Sequence, residues 1–209
     1  LSREIEWRTS MGVIDYPDAL YFMEQRADDI HSGHAPETVW LLEHPHLFTA
    51  GTSAKEEHLL ERKLLPVIKS DRGGSFTYHG PGQRIIYLMI NIKKRNNDIR
   101  KFVFNLESYI INCLRELGII SFKKKGLVGI WTKNENGNDA KIASLGLRVS
   151  KGIIYHGLSI NVDCDLSNFK KIDPCGIKNS SVTSIFAIKE NTQKNKVDHI
   201  LEKNIFNIF

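Results

Sequence analysis

The 23 residues AKIASLGLRVSKGIIYHGLSINV, Ala140 to Val162, decide the fold class. Two apolar runs, 140–149 and 153–162, are separated by Lys151-Gly152. Runs of that length broken by a turn pair read as strands joined by a tight hairpin. Working back along the chain, Asn136-Gly137 is a second turn signal, and it joins 127–132 to 140–149. Further strands are expected at 38–43, 65–69 and 84–91, all apolar and short.

Helical periodicity interrupts this pattern twice. At 16–32, Leu20, Met23, Ala27 and Ile30 recur every three or four residues, with Asp15 as a candidate cap, Pro17 in the first turn and Gly33 at the end. At 98–117, Ile99, Phe102, Val103, Leu106, Ile110, Cys113, Leu114 and Leu117 share one face, and Gly118 stops it. Short helices are expected at 55–63, 181–189 and 197–209, and 44–53 reads as a loop. Hairpin-joined strands with helices packed on them give an α/β or α+β fold with a mixed, mostly antiparallel sheet.

Composition bounds the rest. A chain of 209 residues, 41% apolar and 25% charged, is expected to form one globular domain over 1–209. The longest apolar runs, such as 85–90, are too short to span a bilayer. Glu4 and Glu6 before any apolar run argue against a signal or presequence, and three cysteines fit a reducing compartment, so a cytoplasmic location is expected. The net charge of +5 suggests an acidic partner, either nucleic acid or an acidic carrier protein, and charge does not choose between them.

The segment RGGSFTYHGPGQ, 72–83, looks built to hold a ligand, because glycine lets backbone N–H groups approach closely. It has neither the P-loop nor the dinucleotide order. Arg72 could grip a carbonyl or carboxylate there, or pair with Asp71. His79 and His156 could orient a ligand, act as acid or base, or be structural. Cys175, in Asp173-Pro-Cys-Gly-Ile177, is taken out of regular structure by its proline and glycine. It suits a nucleophile, and a small buried hydrophobe is the commoner reading of such a cysteine. Cys113 reads as core, and Cys164 lies between two aspartates that disfavour a thiolate. Lys141 opens an otherwise core-like run, where burial would disfavour its charge, or it reaches solvent from a strand end. No metal-ligand spacing is present among the cysteines, and His44 and His46 lack suitable carboxylates, so no metal site is expected.

Five stretches together resemble the lipoyl(octanoyl) transferases, also called lipoate-protein ligase B. They are EHPHLFTAG (43–51), RGGSFTYHGPGQ (72–83), AKIASLGLR (140–148), HGLSINV (156–162) and IDPCGI (172–177). The resemblance implies the core shared with biotin and lipoate ligases. It implies transfer of an octanoyl or lipoyl group from acyl carrier protein to a lysine of lipoyl domains, the first step of endogenous protein lipoylation. Acceptors would be the E2 subunits of 2-oxoacid dehydrogenases and the glycine cleavage H protein, with no cofactor, nucleic acid or membrane involved. Cys175 would carry a thioester and Lys141 would assist it. Acyl contacts would come from Arg72, Gly73, Gly74, Ser75, Phe76, Thr77, Tyr78 and His79, from Ser144, Leu145 and Gly146, and from Gly157, Leu158 and Ser159. An ATP-dependent ligase and a non-catalytic acyl-protein binding module are the alternatives.

Overall fold

The computed structural model describes residues 5–61, 64–173 and 181–208. A seven-stranded sheet forms the centre. Its strands are β1 (Ile5–Val13), β2 (Glu37–Glu43), β6 (Gln83–Asn91), β7 (Ser121–Lys124), β8 (Leu127–Lys133), β9 (Asp139–Ser150) and β10 (Ile153–Asn161), in the order β1-β2-β6-β10-β9-β8-β7. The β1–β2 pair is parallel and every other pair in this sheet is antiparallel. A second sheet of β4 (Val67–Lys69), β3 (Leu47–Ala50) and β5 (Phe76–His79) lies beside it, in that order.

The central strands β2, β6 and β10 are buried almost throughout, so both faces of the sheet are covered. Helix α2 (Ile99–Glu116) covers one face, together with the short α3 (Ile185–Ile188) and α4 (Lys194–Asn204). Phe102, Leu106, Ile110 and Leu114 pack on Val39, Leu41, Ile86, Leu88 and Leu158. Each such side chain contributes roughly 1.5–3 kcal/mol on burial. Helix α1 (Tyr16–Ser32) covers the other face, setting Ala19, Met23, Ala27 and Ile30 against Trp40, Leu42, Ile85 and Tyr87. A third cluster, Phe48, Phe76, Tyr78, Phe169 and Ile172, fills the space behind the small sheet.

Asp98 caps α2 as its type suggests, accepting from the Lys101 amide at 2.9 Å. Asp15 stands at the N-cap of α1 but makes no capping bond. The β9–β10 hairpin turns at Lys151 and Gly152, both at positive φ, which a two-residue turn of this hand requires. Two expectations fail, and two strands were not expected. The stretch 44–53 holds strand β3, and 56–58 is a single 3-10 turn in place of the expected helix at 55–63. Strands β1 and β7 carry no apolar run that would announce them, because much of each is exposed or half-buried.

Candidate active site

Between the two sheets lies a cavity of about 640 Å³, within the usual range for small-molecule sites. Of the residues expected to contact an acyl group, Arg72, Gly73, Gly74, Ser75, Phe76, Thr77, His79, Ser144, Leu145, Gly146, Gly157, Leu158 and Ser159 line it. So does Lys141. Tyr78 does not. It packs against Phe48 and Phe169 on the far side of β5, and its hydroxyl meets His46 Nδ1 at 2.7 Å.

Beyond residue 143, β9 pairs only with β10 among the described strands, and β8 diverges. The cavity wraps this open edge and reaches Ile99, Val103, Leu127 and Val128. Ile99 and Val103 belong to the apolar stripe of α2, yet Ile99 is 41% exposed because it faces the cavity. The glycine-rich segment closes over the edge: the Gly73 amide donates to the Leu147 carbonyl at 3.0 Å. A Cβ on Gly146 would stand 3.0 Å from the Gly73 carbonyl oxygen, so the room at Gly146 is used by the loop itself.

Arg72 grips its own loop. Its guanidinium donates to the carbonyls of Gly73, Thr49 and Ser75 at 2.8–2.9 Å, and to Thr49 Oγ1 through Nε and Nη2. Thr49 Oγ1 lies 3.3 Å from His79 Nε2, and His79 Nδ1 lies 2.8 Å from Gln83 Oε1. Burial, then the proximity of His44, holds His79 well below the ordinary histidine range, so the ring is neutral and structural. His44 is also neutral, pushed down to about 4 by burial. The Ile14 carbonyl can only accept, so His44 Nδ1 carries the proton and Nε2 accepts from Tyr87.

His156 departs from its strand. Its neighbours Ile154 and Leu158 belong to the α2 face and Tyr155 to the α1 face, so alternation would place His156 under α2. Its φ of 61° turns the ring back. The ring stacks on Tyr155, stands edge-on to Tyr87, and bonds Asp71 Oδ1 through Nε2 at 2.7 Å. The left-handed conformation costs a non-glycine residue about 1–3 kcal/mol. Tyr155 also donates to Asp71. The His156 bond, above all, holds the Asp71 carboxyl down at about 2. Asp71, which could have been a partner of Arg72, thus ties the loop to β10.

Cys175 lies outside the described residues. The residues that bracket its segment are held at the cavity wall: the Asp173 amide donates to the His58 carbonyl at 2.8 Å, and the Lys141 amide to the Ser181 carbonyl at 2.8 Å. His58 and Lys141 both line the cavity. Lys141 is only 5% exposed, and its Nζ donates to the Val128 carbonyl at 3.1 Å. Cys113 and Cys164 are buried with their thiols pushed up to about 12 by burial, which makes them poor nucleophiles. Sequence reasoning missed Tyr16, His58, Tyr87 and Val128 as lining residues, and no local pattern marks them. Among the described residues there is no cluster of three or more potential metal ligands. No helix of the described residues is long and apolar enough to cross a membrane.

The lipoyl protein ligase A/B catalytic domain model matches residues 15–206. The octanoyltransferase of a Wolbachia from Brugia malayi is 47% identical over 98% of this chain and 100% of its own. That of Ehrlichia canis is also 47% identical, over 98% and 96%. A bipartite lipoate protein ligase structure from Thermoplasma acidophilum shares the fold, with a TM-score of 0.68 at 13% identity over 98% of this chain and 84% of that one. With a cavity walled by the glycine-rich loop and a buried lysine, and relatives matched end to end, this chain belongs to the lipoyl protein ligase A/B catalytic domain family and within it to the octanoyltransferases, acyltransferases that carry out octanoyl transfer in protein lipoylation.

Proposed function

We propose that residues 1–209 act as one catalytic domain that moves octanoyl from acyl carrier protein to a lipoyl-domain lysine through a thioester on Cys175, with Lys141 as acid and then base. The observation that carries this is where the residues on either side of the Cys175 stretch, Asp173 and Ser181, are held. Asp173 is bonded to His58 and Ser181 to Lys141, both in the wall of an acyl-sized cavity.

A free thiol titrates near ~8.5, so a nearby ammonium favours the thiolate. The Cys175 thiolate attacks the donor's thioester carbon, the carrier sulfur leaves, and Lys141 gives it a proton. The neutral lysine then takes a proton from the incoming substrate ammonium. That amine attacks the enzyme thioester, Cys175 leaves as thiolate, and the second amine proton passes to solvent as the amide forms. The donor is already activated as a thioester, so the step needs no adenylation. The apolar wall, with Leu145, Leu147, Leu158, Ile99 and Val103, suits the tail; at about 0.8 kcal/mol per methylene, an octanoyl chain offers roughly 5 kcal/mol.

The donor's carrier and the acceptors are those that the family resemblance implies. A chain of net charge +5 attracts an acidic carrier protein, and the acceptors are the lipoyl domains of E2 subunits and the glycine cleavage H protein. A thiolate nucleophile works only where it stays reduced, which fits the cytoplasm. Intact-mass measurement after mixing with octanoyl carrier protein is expected to show an octanoyl adduct on wild type and none on Cys175→Ala. Undiminished transfer by the alanine variant would exclude the covalent route.

A further inference from the structure

Strands β8 and β9 do not pair regularly beside the cavity. Ile130 stands opposite Ala143, but Trp131 stands opposite Lys141, so Ile142 is an extra residue and β9 bulges there. Regular pairing would set Trp131 against Ile142 and Lys141 against Thr132. A one-residue slip turns side chains to the other face of a sheet, and bulges recur where a side chain has to be re-aimed. Here the slip brings Lys141 onto the face of Trp131, with Nζ 5.1 Å from the ring centroid.

Two further features serve the same side chain. Gly129 sits at φ 121°, and a Cβ there would lie 2.7 Å from the Ala143 carbonyl oxygen and 3.3 and 3.4 Å from the Lys141 stem. Its neighbour Val128 supplies the carbonyl that accepts from Nζ. The indole, moreover, is 3% exposed and its Nε1–H is buried with no hydrogen-bond partner among the described residues. A buried indole N–H ordinarily finds an acceptor, and leaving it unmade is costly. Phenylalanine would avoid that cost. What tryptophan adds is the aromatic face that attracts a cation most strongly.

We propose that Trp131 is a positioning residue for Lys141: its indole face and the Val128 carbonyl, brought together by the β9 bulge opposite Gly129, hold the ammonium in the cavity wall. This rests on the role given to Lys141 above. Several charged and titratable groups among the described residues face the lysine. Lys124 of β7 lies on the same ring at 4.7 Å, and Asp139, which binds both Lys124 and Lys133, offsets it. Across the cavity wall stand His58, Arg72 and the neutral His79. Cys175 and Lys178 lie outside the described residues.

The test is single-turnover transfer from octanoyl carrier protein, followed from pH 6 to 10 for wild type, Trp131→Phe, Trp131→Leu and Lys141→Ala. Removing the ring removes an attraction that holds the ammonium at the wall, so the pH profile of the rate is expected to differ from that of wild type. Trp131→Leu is expected to slow acyl-enzyme formation by about three- to thirty-fold with the KM for the donor unchanged. Trp131→Phe falls between and melts no lower than Trp131→Leu, which separates the effect from loss of folding. Wild-type rates and pH profiles in both tryptophan variants, with Lys141→Ala impaired, overturn the inference alone. A wild-type rate in Lys141→Ala overturns the reading of the lysine itself.

Discussion

The glycine-rich segment and the β8–β9 bulge border one cavity and use polar groups in opposite ways. In the first, the Arg72 guanidinium is divided among three backbone carbonyls and a threonine hydroxyl, and His79 is held neutral between Thr49 and Gln83. Its polarity is consumed in holding a shape. In the second, a lysine almost closed off from water keeps its ammonium at the wall, where the Val128 carbonyl and the Trp131 ring face are among its partners. A satisfied network preserves geometry, whereas a charge held in a poorly solvated place can do chemistry.

Replacing the key group on each side breaks this contrast most sharply. Lys141→Ala is expected to cost about 10²–10⁴ in the transfer rate, the usual worth of a positioned acid–base group, with little change in melting temperature. Stopped-flow or mass-resolved transfer kinetics read the first and thermal denaturation the second. Arg72→Lys should do the reverse in emphasis. A lysine cannot reproduce the planar fork, so buried carbonyls lose partners and stability falls by about 4–5 kcal/mol. For a chain of this length that is a drop in melting temperature of roughly 10 °C or more.

Acid titration sharpens the same comparison. His44, at about 4 in the folded chain, titrates near its ordinary value of 6.5 when unfolded. Between these values the unfolded state binds the extra proton, so stability is full above pH 6.5 and falls as pH drops toward 4. The loss approaches about 3 kcal/mol. Denaturant midpoints measured across that window should flatten in His44→Gln. The smallest effect concerns backbone strain. His156→Ala and His156→Gly both lose the Asp71 bond, but only glycine relieves the φ of 61°. The alanine variant should therefore be less stable than the glycine variant by about 1 kcal/mol in equilibrium unfolding. Equal stabilities would mean that the turned ring carries no strain.

Much of the fold was legible because its signals are local. The β9–β10 hairpin showed in its turn pair, and α1 and α2 showed in their periodicity. The small sheet was legible only in β4, which lies within the strand expected at 65–69. Strands β3 and β5 are four residues each, set among turn-forming residues, and they pair across a gap of nearly thirty positions. The cavity residues of the glycine-rich segment were readable from composition and resemblance. What Arg72 binds was not, since the carbonyls it grips include that of Thr49, 23 positions away. Tyr78 was assigned to the cavity with its neighbours, but strand geometry turned it into the third core cluster.

The order of apolar runs, turns and helical stripes, together with the glycine-rich and lysine-bearing stretches, was enough to determine a mixed sheet with packed helices and the family to which the chain belongs. Tertiary structure alone decided how the polar side chains were spent: Arg72 on its loop, His156 turned across its strand, Lys141 slipped onto Trp131. Periodicity is a property of neighbours in sequence and survives in a single chain. The partner of a buried charge is chosen by register, bulges and backbone twist between distant strands, and those exist only once the sheet has closed.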